Sequence, residues 1–206
     1  IVVTTFYEAD GFAVFRYGSK ELPFVLMLTL GLHSAMLVEF NRKDKLNETL
    51  STIKKKSLRI MHSMYPLSIF LLLFAKPIFK GIFSPEFTRS ADVFVIYLLA
   101  IVSRILFPHT IIIGLKKGKV LFWISCIELV INIILSLWFV KPYGVVGVAL
   151  ATVITYLISK VILILYTYFA IGIKPAEYIP IKWYAFYSIM LGVVFVLLDR
   201  GIIVIP

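Results

Sequence analysis

Cysteine, histidine and acidic residues are scarce in this chain. Its 206 residues include one cysteine, three histidines and 11 Asp and Glu residues, against 21 Lys and Arg residues. The single cysteine, Cys126, excludes a disulfide framework within the chain and a metal site built from several cysteines. The histidines lie on separate segments, without the close spacing of a metal-binding motif. The sequence therefore predicts no metal centre.

The motifs that mark an enzyme are also missing from the sequence. It contains no Gly-rich phosphate loop, nucleophile elbow, zinc motif or evident pair of acid and base. We therefore predict that the protein is not an enzyme and has no cofactor.

The sequence starts at Ile1 and stops at Pro206, inside or just beyond an apolar run, which indicates a fragment of a longer protein.

Hydrophobic residues, by contrast, are abundant. They make up 61% of the chain, and aromatic residues make up 15%, whereas a soluble domain is about 45–50% apolar. The formal net charge of +10 could suggest nucleic acid, but the Lys and Arg residues cluster between apolar runs, where they set membrane topology. We expect an integral membrane protein whose basic loops meet lipid headgroups and not nucleic acid.

Six apolar runs are long enough to cross a bilayer, which takes about 20 residues in a helix. They cover approximately 22–40, 58–79, 92–115, 120–140, 144–171 and 183–205. The predicted fold is an all-α multi-span bundle in which 1–206 form a single transmembrane lobe. Residues 1–21 are interpreted as an external segment, and residues 41–57 as a basic cytoplasmic loop.

The distribution of positive charge gives these six runs one orientation. Cytoplasmic connections are expected at 41–57, at 116–119 and around Lys174 and Lys182, because basic residues concentrate there. The opposite connections carry few basic residues. The predicted topology is therefore that of a multi-pass membrane protein with these connections on the cytoplasmic side.

Polar residues recur on one face of the fourth run. Ser125, Glu128, Asn132 and Ser136 are spaced by three or four positions, which places them on the same side of a helix. One interpretation is a face that lines a cavity, with Glu128 as a proton or cation site. The other is an interhelical hydrogen-bond seam, which we favour for Asn132.

Arg104 lies near the middle of the third run and shares a helical face with Tyr97. An ionised side chain at this depth costs at least about 2.5 kcal/mol, so it usually faces protein or water. A guanidinium is suited to phosphate or carboxylate, which points to an anionic substrate head. An internal salt bridge to Glu128 is an equal alternative.

Lys160, on the fifth run, faces a cavity or extends towards the headgroups.

The order of several short motifs resembles the MOP superfamily of flippases and exporters, particularly its polysaccharide and O-antigen branch. The motifs are Glu128 to Leu135, Pro142 to Thr152, Phe15 to Gly18 with Glu21 to Pro23, and Ile82 to Phe87. Such proteins have about twelve to fourteen spans in two lobes. The resemblance implies that this chain is the second lobe.

The resemblance also implies a function. It implies a multi-pass flippase of the bacterial inner membrane that moves an undecaprenyl-diphosphate-linked oligosaccharide to the outer leaflet for the synthesis of surface polysaccharide, including lipopolysaccharide. Arg104 and Arg16 match positions expected to contact the substrate. Membrane lipids and the polysaccharide polymerase machinery are the other partners that it implies.

Two other functions remain open at this point. A MATE-type cation or drug antiporter would need acidic residues in its cavity, and Glu128 is the only deep acid in these runs. A non-catalytic membrane scaffold would use Arg104 and Glu128 only to pair with each other, with no cavity between the helices.

Overall fold

The computed structural model describes residues 9–19, 23–40, 46–82 and 88–202, and these are helical, with short connections. We number the helices of this part of the chain in order. They are α1 (Ala9–Gly18), α2 (Pro23–Phe40), α3 (Leu46–Ile82), α4 (Thr88–Leu98), α5 (Ile101–Arg104), α6 (Pro108–Gly114), α7 (Gly118–Phe169), α8 (Pro175–Tyr178) and α9 (Ile181–Asp199).

The described helices suit a bilayer in length and in surface. Helices α3, α7 and α9 are long and apolar enough to cross a membrane, and α4 to α6 together form a fourth candidate. Large apolar side chains on α7 and α9, including Leu129, Ile134 and Ile189, are exposed on the outside of the bundle. Lipid tails can cover such a surface. The predicted fold class, an all-α membrane bundle, is confirmed.

Helix α3 corrects the predicted loop at 41–57, because residues 46–57 are helical. The helix has 37 residues, or about 55 Å at about 1.5 Å per residue, longer than a hydrocarbon core of about 30 Å. Leu50, Ile53 and Ser57 recur on one buried face, and Lys55 is exposed on the other. The basic sequence is therefore an amphipathic extension of the helix. Residues 41–45 lie outside the described residues.

Helix α7 is a hairpin that contains the fourth and fifth predicted runs. Its backbone leaves the helical region at Gly144, where φ is 62° and ψ is −141°, a conformation that only glycine adopts readily. Contacts then join residues progressively farther from Gly144 on each side: Asn132 with Thr152, and Glu128 with Ser159. The halves 118–143 and 145–169 are therefore antiparallel, and each is long enough to cross a bilayer.

The third predicted run, 92–115, is broken and not one helix. It consists of α4, α5 and α6, with a bend of 47° between Arg89–Arg104 and Pro108–Gly114. Pro108 has no backbone N–H and disfavours a helical conformation at Phe107. Phe107 indeed has φ −113° and ψ 32°, and Pro108 starts α6.

The break frees backbone carbonyl groups inside the bundle, and three side chains from other helices bind them. Ser57 Oγ of α3 donates to the Ile105 carbonyl at 3.1 Å, and Tyr184 Oη of α9 donates to the Val102 carbonyl at 3.1 Å. Lys160 Nζ of α7 donates to the Leu106 carbonyl at 3.3 Å. Because lipid supplies no hydrogen bonds, these contacts satisfy groups that the broken helix cannot.

The two ends of the described chain also differ from the sequence predictions. Helix α1 lies within the predicted external segment 1–21, yet it packs on α4: Phe15 contacts the Tyr97 ring edge-on, and Gly18 lies against Val93. Helix α9 ends at Asp199, six residues before the predicted run 183–205 ends. Gly201, with φ 67°, closes it with a turn of the type that commonly ends helices. The membrane crossing of each run stays a prediction.

We predict that replacing Gly147 with leucine opens the α7 hairpin. A Cβ atom at Gly147 would overlap the carbonyl oxygen of Phe139, a backbone atom of the opposite half. Overpacking of this kind costs about 1–3 kcal/mol or more. The full-length Gly147→Leu protein should therefore give less folded material and a lower midpoint in a thermal melt.

The matched control is Gly192→Leu in α9, where a Cβ atom meets no heavy atom within 4 Å. This variant should melt like the wild type. Equal melting of the Gly147 and Gly192 variants would contradict the close approach of the two halves.

Candidate functional site

A polar cavity of about 200 Å³ lies between α5, α6 and the two halves of α7. Its lining combines charged and polar side chains with four apolar or aromatic ones. The lining residues are Ser103, Arg104, His109, Leu121, Ile124, Ser125, Glu128, Tyr156, Ser159, Lys160 and Leu163. The structure therefore brings together three of the charged residues singled out from the sequence: Arg104, Glu128 and Lys160.

The break in the third run determines where Arg104 lies. Arg104 is the last residue of α5, just before the chain changes direction, and it is half-buried. Its guanidinium carbon lies 4.4 Å from the centre of the Tyr156 ring, above its face. A cation over an aromatic face is attracted by the ring's electron density. Tyr156 thus holds one face of the guanidinium in the cavity.

Lys160 reaches the same cavity from the second half of α7. Its ammonium group donates a hydrogen bond to the Leu106 carbonyl at 3.3 Å, two residues after Arg104. Of the two sequence interpretations for this residue, the structure agrees with the cavity and not with extension towards the headgroups. One hydrogen bond leaves two of the three ammonium N–H groups for other acceptors.

Glu128 supplies the negative charge of the cavity. Ser159 Oγ donates a hydrogen bond of 2.5 Å to Glu128 Oε2, which ties the carboxylate to the opposite half of the hairpin. With Arg104 and Lys160 positive and Glu128 negative, the lining carries a net charge of one positive unit when His109 is neutral. The cavity therefore favours an anionic guest.

Two histidines extend the polar region towards α2. His109 lines the cavity, and its ring centre lies 5.7 Å from that of His33. The Nδ1 atom of His33 lies 2.7 Å from Thr110 Oγ1. Within the described part of the chain, no three His, Cys, Asp or Glu side chains are grouped so that they could hold a metal ion.

The other residues singled out from the sequence lie elsewhere. Asn132 Nδ2 donates to Thr152 Oγ1 at 3.3 Å across the hairpin, which agrees with the favoured seam interpretation. Tyr97 packs edge-on against Phe15, and Arg16 is exposed on α1. None of the three lines the cavity. Their assignment as substrate contacts stays a prediction.

Neither Tyr156 nor His109 was predicted from the sequence to line a cavity. Tyr156 lies four positions before Lys160, a spacing that places the two on one helical face. That spacing was a usable signal, because it places an aromatic ring beside a cation on the same helical face. The neighbours of His109, by contrast, depend on how α6 turns after Pro108.

The cavity is equipped to bind an anion with several oxygen atoms. The guanidinium of Arg104 offers a rigid set of donors, and Lys160 offers a compact positive charge. Ser103 and Ser125 add hydroxyl groups to the lining. Phosphate and diphosphate groups match this combination, because each phosphate has several oxygens that accept charge-assisted hydrogen bonds.

Comparison with known proteins agrees with this fold. The sequence model of the family "Lipid II flippase MurJ" matches residues 1–204. A solved structure of a lipid II flippase MurJ in an inward closed conformation superposes with a TM-score of 0.65 and 19% sequence identity. This match covers 100% of the chain and 44% of the solved protein, so the chain spans less than half of that protein's length. No curated protein matches.

The family match refines the resemblance seen in the sequence. The predicted MOP-type flippase is confirmed at the level of the superfamily, but the match does not extend to the polysaccharide and O-antigen branch. The solved structure, at its low identity, shares the fold alone. With a family model that matches residues 1–204 of 206, the chain belongs to the lipid II flippase MurJ family.

Proposed function

We propose that the full-length protein is a flippase that carries lipid II, the lipid-linked precursor of peptidoglycan, from the cytoplasmic to the outer leaflet of the bacterial inner membrane. In this proposal the cavity of Arg104, Lys160 and Glu128 receives the diphosphate of the lipid. The observation that carries the proposal is the meeting of these three charges in one cavity within the helices.

The depth of these charges supports a transport role. Each ionised side chain near the middle of a bilayer costs about 2.5–3.5 kcal/mol on insertion scales. A packing role alone would not require two positive charges in one cavity, since apolar side chains of similar size hold helices together at lower cost. A flippase, however, must offer its anionic substrate a polar site inside the membrane.

The family supports lipid II as the substrate over a polysaccharide precursor. The two substrates share a diphosphate linked to a lipid, and in this proposal the cavity binds that diphosphate. The sugar end differs, and the cavity of about 200 Å³ is too small to accommodate a disaccharide with its peptide. The choice of substrate therefore rests on the family and not on the cavity.

The charge balance argues against the two alternatives. A cation antiporter would present carboxylates to its substrate, but the one carboxylate in the cavity, Glu128, accepts a hydrogen bond from Ser159 and faces two cations. A scaffold in which polar groups serve packing alone would have no cavity here. Both alternatives make different predictions from the flippase for the variants below.

We predict that Arg104→Ala lowers flipping by the full-length protein below the level that supports growth. Cells depleted of their own lipid II flippase should grow when they express the wild-type protein and lyse when they express the variant. Loss of a charged contact to phosphate should lower flipping about tenfold or more. Flipping is measured as the fraction of lipid II that reaches the outer leaflet.

The control for this experiment is Arg89→Ala, because Arg89 is an exposed arginine near the start of α4 and does not line the cavity. It should support growth at wild-type expression. Growth on Arg104→Ala at equal membrane abundance would contradict a substrate role for the cavity. The wild-type protein could instead fail to support growth of the depleted cells but restore surface polysaccharide in a second strain that lacks its oligosaccharide flippase. That outcome would indicate a polysaccharide precursor as the substrate.

We predict opposite consequences for the two other charges. Lys160→Met removes a positive charge and should lower flipping about tenfold or more, as for Arg104. Glu128→Gln removes the negative charge, but the glutamine oxygen can still accept the hydrogen bond from Ser159. It should therefore keep most of the flipping activity. The same growth and outer-leaflet assays measure both variants.

This pair of variants separates the transport classes. A cation antiporter would lose its activity with Glu128→Gln and tolerate Lys160→Met, and its wild type would give resistance to cationic dyes. A scaffold would tolerate both variants as long as each is present in the membrane at normal abundance. Either pattern would overturn the flippase proposal.

A further inference from the structure

A second and larger cavity lies at the other end of the bundle. It has a volume of about 440 Å³ and lies between the end of α3, the start of α4 and the end of α9, with Val146 of α7 at its side. Pockets of about 300–1,000 Å³ commonly hold small ligands. The positive-inside prediction places this end at the outer leaflet.

The walls of this cavity are apolar, and its polar groups lie at the rim. Leu72, Ile96 and Leu198 are among the apolar lining residues. The charged lining residues are Lys76, Asp92 and Asp199. An apolar interior below a charged rim at the membrane surface has the same polarity profile as a phospholipid with its headgroup.

The rim charges are available to a ligand. Lys76 Nζ and Asp92 Oδ1 lie 3.9 Å apart, and their side chains are 71% and 51% exposed. An exposed ion pair at that separation is weak. Asp199 is exposed at the end of α9, and its neighbour Arg200 does not line the cavity.

The combination of charges selects among headgroups. Two carboxylates and one ammonium give the rim a net charge of one negative unit, in a chain whose overall charge is +10. Anionic headgroups and the diphosphate of lipid II would be repelled by the carboxylates. A zwitterionic headgroup with a primary ammonium complements the rim, because its phosphate can bind Lys76 and its N–H groups can donate to Asp92 and Asp199.

The geometry points to a structural site for phosphatidylethanolamine of the outer leaflet, with an acyl chain against Leu72 and Ile96 and the headgroup on Lys76, Asp92 and Asp199. This site is separate from the transport cavity and does not depend on the proposed substrate. It would fill the gap between α3, α4 and α9 with lipid.

The test is native mass spectrometry of the purified full-length protein with phosphatidylethanolamine, phosphatidylcholine or phosphatidylglycerol of the same acyl chains. The wild type should retain phosphatidylethanolamine most strongly. Phosphatidylcholine should bind less, because its quaternary ammonium has no N–H donor, and phosphatidylglycerol should bind least. The double variant Asp92→Asn with Asp199→Asn should retain about tenfold less phosphatidylethanolamine.

Two further variants keep this test decisive. Glu177→Gln removes an exposed acid in α8, which does not line this cavity. This variant should retain phosphatidylethanolamine like the wild type. Leu198→Trp fills the cavity and should lower retention of all three lipids. Equal retention of phosphatidylglycerol by the wild type, or unchanged phosphatidylethanolamine retention in the double aspartate variant, would overturn the proposal. Growth of flippase-depleted cells, measured in parallel, reports separately on the proposed transport.

Discussion

The broken third run is the constraint on which the described structure depends. A helix that stops inside the bundle leaves carbonyl groups without partners, and lipid cannot supply them. Ser57, Tyr184 and Lys160 donate to these carbonyls from three different helices. The break therefore fixes how α3, α7 and α9 approach α5. It also fixes the positions of Arg104 and Lys160, because one precedes the break and the other binds to it.

The α7 hairpin provides the second wall of the polar cavity, and its shape explains why only part of its polar face lines that cavity. Near Gly144 the halves touch, because Gly147 lies against the Phe139 backbone. There Asn132 bonds directly to Thr152, and no space remains between them. Farther from Gly144, the larger side chains Tyr156 and Lys160 occur, and the cavity opens beside Glu128. One helical face thus serves as a seam at one end and as a cavity wall at the other.

Local features of the fold were predictable from the sequence, whereas features that depend on tertiary contacts were not. Hydrophobicity along the chain located most of the helices, because a span is a property of about 20 neighbouring residues. The helical start of α3 was missed because its basic residues resemble a loop, although Leu50, Ile53 and Ser57 recur on one face. The charges at Arg104, Glu128 and Lys160 were visible at once. Their meeting was not, because it depends on the bend after Arg104 and on the hairpin register.

The excess of positive charge in the cavity lining favours the binding of an anion. Arg104 is held by the Tyr156 ring and Lys160 by a backbone carbonyl, and neither contact neutralises a full charge. Glu128 balances one of the two cations and is itself bonded to Ser159. A bound anion with several oxygen atoms would supply the missing negative charge, so its binding would favour the arrangement of α5 and α7 in which both cations line the cavity.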